Sequence, residues 1–157
     1  MTPDQSRQLN RALDAIRAAE REPTAAELSA SPRMTFWRQM LDHRNMPVLW
    51  GEVTDHPKLG TTSMTSSRLI ALDRAAGWAR TISRWYRLGK IFEAVEGQPA
   101  RELGTPAARL AISSFELPGF QSIDDPEKLD LLLSAYITLI RKIEAELKCA
   151  QPSHRAI

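Results

Sequence analysis

The apolar positions up to Glu22 recur at helical spacing. Leu9, Leu13 and Ile16 fall on one face at intervals of four and three, and Ala12 and Ala19 widen the stripe. Thr2-Pro3-Asp4-Gln5 starts that helix, with Thr2 as cap, Pro3 in the first turn and Gln5 closing a capping box. Pro23 ends it, because proline cannot continue the hydrogen-bond ladder. Thr24-Ala25-Ala26-Glu27 opens a second, short helix that Ser31-Pro32 stops. In the stretch Met34 to Leu41, the apolar residues Phe36, Trp37, Met40 and Leu41 suit a helical face, so a short helix is expected there.

The period changes at Val48. Leu49, Gly51 and Val53 alternate with Val48, Trp50, Glu52 and Thr54, which predicts a strand ended by His56-Pro57. Thr61 to Ser67 holds six hydroxyl side chains in seven positions. Such side chains compete for backbone hydrogen bonds, so part of the run should be loop. Arg68 to Leu72 is a second predicted strand, and Asp73 to Gly77 a turn. Trp78 to Leu88 is rich in aromatic and β-branched residues and is bounded by Gly77 and Gly89, which favours a third strand over a helix. As one strand it would show Trp78, Arg80, Arg84 and Tyr86 on one face, and Trp85 and Arg87 on the other.

Beyond the polar stretch Glu96 to Gly104, Thr105-Pro106 starts a helix with Ala108, Ala111, Ile112 and Phe115 on its apolar face. Asp125-Pro126 opens another. There Leu129, Leu133, Tyr136, Ile140, Ile143 and Leu147 repeat at heptad-like spacing. This seam either closes the chain's own core or pairs two copies over 126–148, since Leu131 and Leu132 broaden its apolar surface. The expected fold is α+β: a small three-stranded antiparallel β-meander over 48–89, packed against a helical lead-in over 3–42 and C-terminal helices over 105–149. These form one domain over 1–150, with 151–157 a frayed tail.

Composition adds limits. A chain of 157 residues with 43% hydrophobic content can bury one substantial core. No apolar run is long enough to span a bilayer, and the polar start lacks a signal peptide's apolar segment. Cys149 is the single cysteine, so no internal disulfide forms, and a cytoplasmic location without membrane contact is expected.

The net charge of +2 is too small to point to nucleic acid by itself, but the charge is unevenly placed. Between residues 68 and 90, Arg68, Arg74, Arg80, Arg84, Arg87 and Lys90 face only Asp73, a local excess of five positive charges. That excess invites an anionic partner.

Arginine forks beside Trp78 and Tyr86 can hold phosphates or anchor a protein partner. The expected binding surface is therefore Arg68, Trp78, Arg80, Arg84, Tyr86 and Arg87, with Thr65, Ser66 and Ser83 as possible anion contacts. His56, where a strand meets a loop, is the first candidate acid–base residue, set against a turn-stabilising role with its ring bonded to backbone. The neighbouring Asp55 need not orient it, because adjacent strand residues face opposite ways. His43, His56, His154 and Cys149 match no zinc spacing, and the acids around Asp124 lack the alternation of a calcium loop. No metal and no cofactor are expected.

Gly51-Glu52-Val53, His56-Pro57-Lys58-Leu59-Gly60, Thr65-Ser66, Gly77-Trp78-Ala79-Arg80-Thr81 and Ser83-Arg84-Trp85-Tyr86-Arg87-Leu88-Gly89 together resemble a small domain of unknown function found in alphaproteobacterial genomes, often on plasmids and accessory regions. Thr24 to Leu28 and Trp37 resemble its usual lead-in, so the resemblance spans residues 24–89. It implies importance for Trp78, Arg80, Ser83, Arg84 and Tyr86 without implying a chemistry. The expectation is a non-enzymatic accessory binding or regulatory protein, acting through the Arg/aromatic surface on a protein partner. A nucleic-acid regulator using residues 68–90 and a small hydrolase or phosphate-handling enzyme centred on His56, Arg80 and Arg84 are the alternatives.

Overall fold

A computed structural model of the chain describes residues 1–56, 60–92, 119–123 and 125–150. The elements in order are α1 (Pro3–Arg21), α2 (Ala25–Ser29), β1 (Arg33–Leu41), β2 (Pro47–His56), β3 (Gly60–Thr65), β4 (Leu69–Asp73), β5 (Trp78–Thr81), β6 (Trp85–Leu88), β7 (Gln121–Ser122) and α3 (Pro126–Cys149). The expected helix after Thr105 and the tail from Gln151 lie outside the described residues.

Local signals set the helix ends. Both capping boxes form: Thr2 and Gln5 exchange hydrogen bonds at the start of α1, and Thr24 and Glu27 do so at α2. Glu22 leaves the helix at φ 63°, just before Pro23. Asp125 caps α3 by accepting from the Glu127 N–H, with Pro126 behind it.

The fold is α+β, but the sheet is larger and mixed rather than a three-stranded meander. β1-β2-β3 form one antiparallel meander and β4-β5-β6 a second. A parallel pairing of Arg33 with Arg87 and Met34 with Leu88 joins them, giving the order β3-β2-β1-β6-β5-β4. β7 adds antiparallel to Met40 and Leu41 at the far end of β1.

The expected helix over Met34 to Leu41 is in fact β1. The reason is a bulge. The register with β2 jumps between Thr35 and Arg38, and Phe36 sits at φ 49°. The extra residue lets Met34 and Trp37 both enter the core, so three-residue spacing in a strand imitates a helical face. Gly51 lies against this bulge: a Cβ there would come within 2.6 Å of Met34 Cγ and 3.0 Å of the Thr35 carbonyl oxygen.

β2 shows the expected alternation, with Leu49 and Val53 in the core and Trp50, Glu52 and Thr54 half-buried. The hydroxyl run is divided. Thr61 to Thr65 belong to β3 at one end of the strand order, and Ser66 and Ser67 are loop. Arg68 to Leu72 corresponds to β4, and the Asp73 to Gly77 turn forms with Gly77 at φ 78°.

The single strand expected over Trp78 to Leu88 is two strands, β5 and β6. The Thr81 hydroxyl accepts from the N–H groups of Ser83 and Arg84, folding the chain back without glycine or proline.

One face of the sheet carries Met34, Trp37, Leu49, Val53, Leu69, Ala79 and Tyr86, closed by Leu129 and Leu133 of α3. Its second half turns to α1, where Ile140 joins Ala12, Leu13, Ala15, Ile16 and Ile70. Arg17 pairs with Glu144 at 2.9 Å, and Arg141 with Glu20, across the two helices. Leu129, Leu133, Tyr136 and Ile140 of the heptad-like seam of α3 thus pack into the chain's own core, while Leu131, Leu132 and Leu139 stay exposed. Among the described residues no helix is long and apolar enough to cross a membrane.

Candidate functional site

Cross-strand partners in a hairpin share a face. Trp78 pairs with Arg87 and Arg80 with Trp85, so these four residues lie together. Ala79 pairs with Tyr86 on the opposite face, inside the main core. The expectation that Arg80 and Tyr86 share a surface is thus corrected. The turn at Ile82 to Arg84 reverses the chain and exchanges the faces that one continuous strand would have had.

Trp78 and Trp85 meet edge to face, with centroids 5.4 Å apart and planes at 84°. Ala18 of α1 and Leu28 of α2 cover them. Both indoles are buried, as is Tyr86 at 2% exposure. These aromatics hold the hairpin under the helices rather than offering ring faces to a partner.

Arg80 is half-buried and lies over the Trp85 ring, 5.1 Å from its centroid. Its Nε is buried and makes no hydrogen bond, and no carboxylate pairs with it among the described residues. Burial pushes its pKa down, an effect that Glu27 opposes. An arginine nevertheless keeps its charge, so this is a partly desolvated cation without an ionic partner.

Arg80 lies at a cavity of ≈ 330 Å³. The hairpin supplies Arg80, Ser83, Arg84 and Trp85, and α2 with the link behind it supplies Glu27 and Ser31. Asp55 of β2 completes the rim.

Each rim group is held differently. Glu27 is locked by both terminal nitrogens of Arg21, each at 2.9 Å, and by the Thr24 N–H. The Arg21 fork and then the Thr24 N–H hold its carboxyl far below the usual range, so its charge is already answered. Asp55 sits at a second bulge, where the β2–β3 register shifts between Val53 and His56, and it adopts φ 62°. Its side chain is 80% exposed and pairs with Arg87 at 3.8 Å. Arg87 in turn donates its Nε to the Ser31 carbonyl and its backbone N–H to that of Pro32, fixing the α2–β1 link to β6. Arg84 has no ion pair among the described residues.

The remaining sequence candidates fall elsewhere. Arg68 stacks on Tyr136 of α3 at 4.0 Å, a packing role. Thr65 pairs with Trp50 in the sheet. The Ser66 hydroxyl accepts from the Leu49 N–H and donates to the Ser67 carbonyl. Ser83 alone of the three possible anion contacts reaches the cavity, where Arg11 and Ser67 hydrogen-bond its hydroxyl. His56 is buried in β2 and does not line the cavity. Among the described residues no three His, Cys, Asp or Glu side chains converge on a metal position.

Glu27, Asp55 and Trp85 were not singled out by sequence. Trp85 becomes legible once a turn is placed at Ile82 to Arg84, because Arg80 and Trp85 are then cross-strand partners. Asp55 needed the bulge, and Glu27 needed the packing of α2.

Residues 1–154 match the Family of unknown function (DUF6634). The chain belongs to that family. The match extends to both sides of the 24–89 stretch and takes in both α1 and α3, so the hairpin and the helices that cover it belong to one family unit. No curated protein and no solved structure matches the chain.

Proposed function

We propose that this chain is a non-enzymatic binding or regulatory protein whose cavity at Arg80 receives an anionic group presented by a protein partner. The observation that carries the reading is the state of Arg80: half-buried, stacked on Trp85, with its Nε buried and without an ion pair or a hydrogen bond to that Nε among the described residues. A guanidinium held rigidly and left unpaired favours an incoming anion, because its side chain is already ordered before binding. Arg84 supplies a second cation on the same rim, with no ion pair among the described residues.

The geometry favours a protein over a nucleic acid. Arg68 is stacked on Tyr136, and Arg87 is tied to Ser31 and Asp55, so the basic segment is not one continuous surface. Trp78 and Tyr86 are buried and have no free ring face on which a base could stack. The enzyme reading is disfavoured because His56, the candidate acid–base residue, is buried and does not line the arginine cavity.

The test is binding of a glutamate-rich peptide and of a mixed-sequence DNA duplex over a salt series, for the wild type and for Arg80→Met. The proposal expects peptide binding that needs Arg80, with weak duplex binding that Arg80→Met barely changes. Tight duplex binding that falls steeply with salt would replace it with a nucleic-acid role.

A further inference from the structure

Among the described residues, four charged side chains reach the cavity: Glu27, Asp55, Arg80 and Arg84. Glu27 is neutralised by the Arg21 fork. Arg80 and Arg84 form no ion pair among the described residues, and Asp55, though paired with Arg87 at 3.8 Å, keeps its side chain 80% exposed. An acid on the rim works against a pocket that merely collects negative charge, because it repels a polyanion.

The backbone at Asp55 bears on the same point. Its φ of 62° at the bulge would suit glycine or asparagine equally well. Aspartate is among the few side chains that tolerate this region, and what it adds over asparagine is a charge, carried on a side chain 80% exposed.

We infer that the cavity takes a mixed-charge segment of a protein, with a carboxylate on Arg80 and Arg84 and a lysine or arginine side chain on Asp55. This rests on the anionic-group reading above and narrows it. A cavity of ≈ 330 Å³ is at the small end of ligand-sized sites and suits two side-chain ends rather than a folded surface. Asp55 supplies discrimination: it favours an acid flanked by a base and rejects a run of acids or phosphates.

The test uses three blocked, fluorescein-labelled peptides in a Gly/Ser background, carrying alternating Glu and Lys, two Glu, or two phosphoserines. Anisotropy is read at low salt for the wild type, Asp55→Asn and Arg80→Met. Asparagine accepts the positive φ, so Asp55→Asn keeps the bulge. The wild type is expected to prefer the Glu/Lys peptide, and Asp55→Asn to reverse that order, weakening it and tightening the two-Glu peptide by up to about fivefold each. Wild-type preference for the two-Glu or phosphoserine peptide, or an order unchanged in Asp55→Asn, overturns the mixed-charge inference. Binding of every peptide unchanged in Arg80→Met, or no binding by the wild type at all, instead overturns the anion-receiving reading beneath it.

Discussion

The guanidinium of Arg80 on β5 lies over the indole of Trp85 on β6, its direct cross-strand partner, 5.1 Å from the ring centroid. That stack places a cation at the cavity and gives its stem a packing role at once. The two roles separate by substitution. Arg80→Met keeps an apolar stem over the indole and removes a buried Nε that has no hydrogen-bond partner among the described residues. Lost cation–π attraction of about 0.5–1 kcal/mol is then offset by relief of the unpaired group. Urea unfolding should show a stability change within about 1 kcal/mol, while peptide binding is lost. Arg80→Ala should cost more, because it also uncovers Trp85.

Gly51 is required by the β1 bulge. A Cβ at 2.6 Å from Met34 Cγ and 3.0 Å from the Thr35 carbonyl oxygen cannot be relieved by moving one flexible side chain. Gly51→Ala should lower stability by about 1–3 kcal/mol, read as a lower urea midpoint with an unchanged slope.

Ser66, just after β3, accepts from the buried N–H of Leu49 in β2, at 2.9 Å. Ser66→Ala leaves that hydroxyl bond unmade and should cost about 1–3 kcal/mol. Faster hydrogen exchange at the Leu49 amide would check it. Ser67→Ala, at a partly exposed site, should stay within about 0.5 kcal/mol of wild type.

Acid should loosen α2. The Glu27 carboxyl is depressed by the Arg21 fork and the Thr24 N–H. A carboxyl with a lowered folded-state pKa stabilises fully above its unfolded value, near 4.3, and loses that contribution as pH falls towards the folded value. Since Leu28 packs on Trp78 and Trp85, their fluorescence should change in acid, below about pH 4. Glu27→Gln should already show part of that change at neutral pH, and less further change on acidification.

What was legible in the chain was local. Thr2 and Thr24 announce their helices because a capping box is complete within four residues. Leu49 to Val53 announce a strand because their alternation is unbroken. Met34 to Leu41 misleads because one inserted residue at Phe36 turns a two-residue period into three. The Ile82 to Arg84 turn is invisible to composition, since the Thr81 hydroxyl does the work that glycine or proline usually does. The parallel β1–β6 pairing joins residues far apart in sequence, and no local pattern carries it. For the site, Arg80, Ser83 and Arg84 stood out by charge and neighbourhood. Glu27 and Asp55 reach it only through the packing of α2 and the bulge in β2.

The most direct test of the central claim is an NMR titration of the side-chain N–H signals of Arg80, Trp85 and Arg68 with a blocked glutamate-bearing peptide. The Arg80 Nε–H and the Trp85 indole N–H should shift and saturate together at low salt, while the Arg68 signal, stacked on Tyr136, stays in place. Movement at Arg68 with Arg80 and Trp85 unmoved, or no saturable shift at any of the three, would contradict the account.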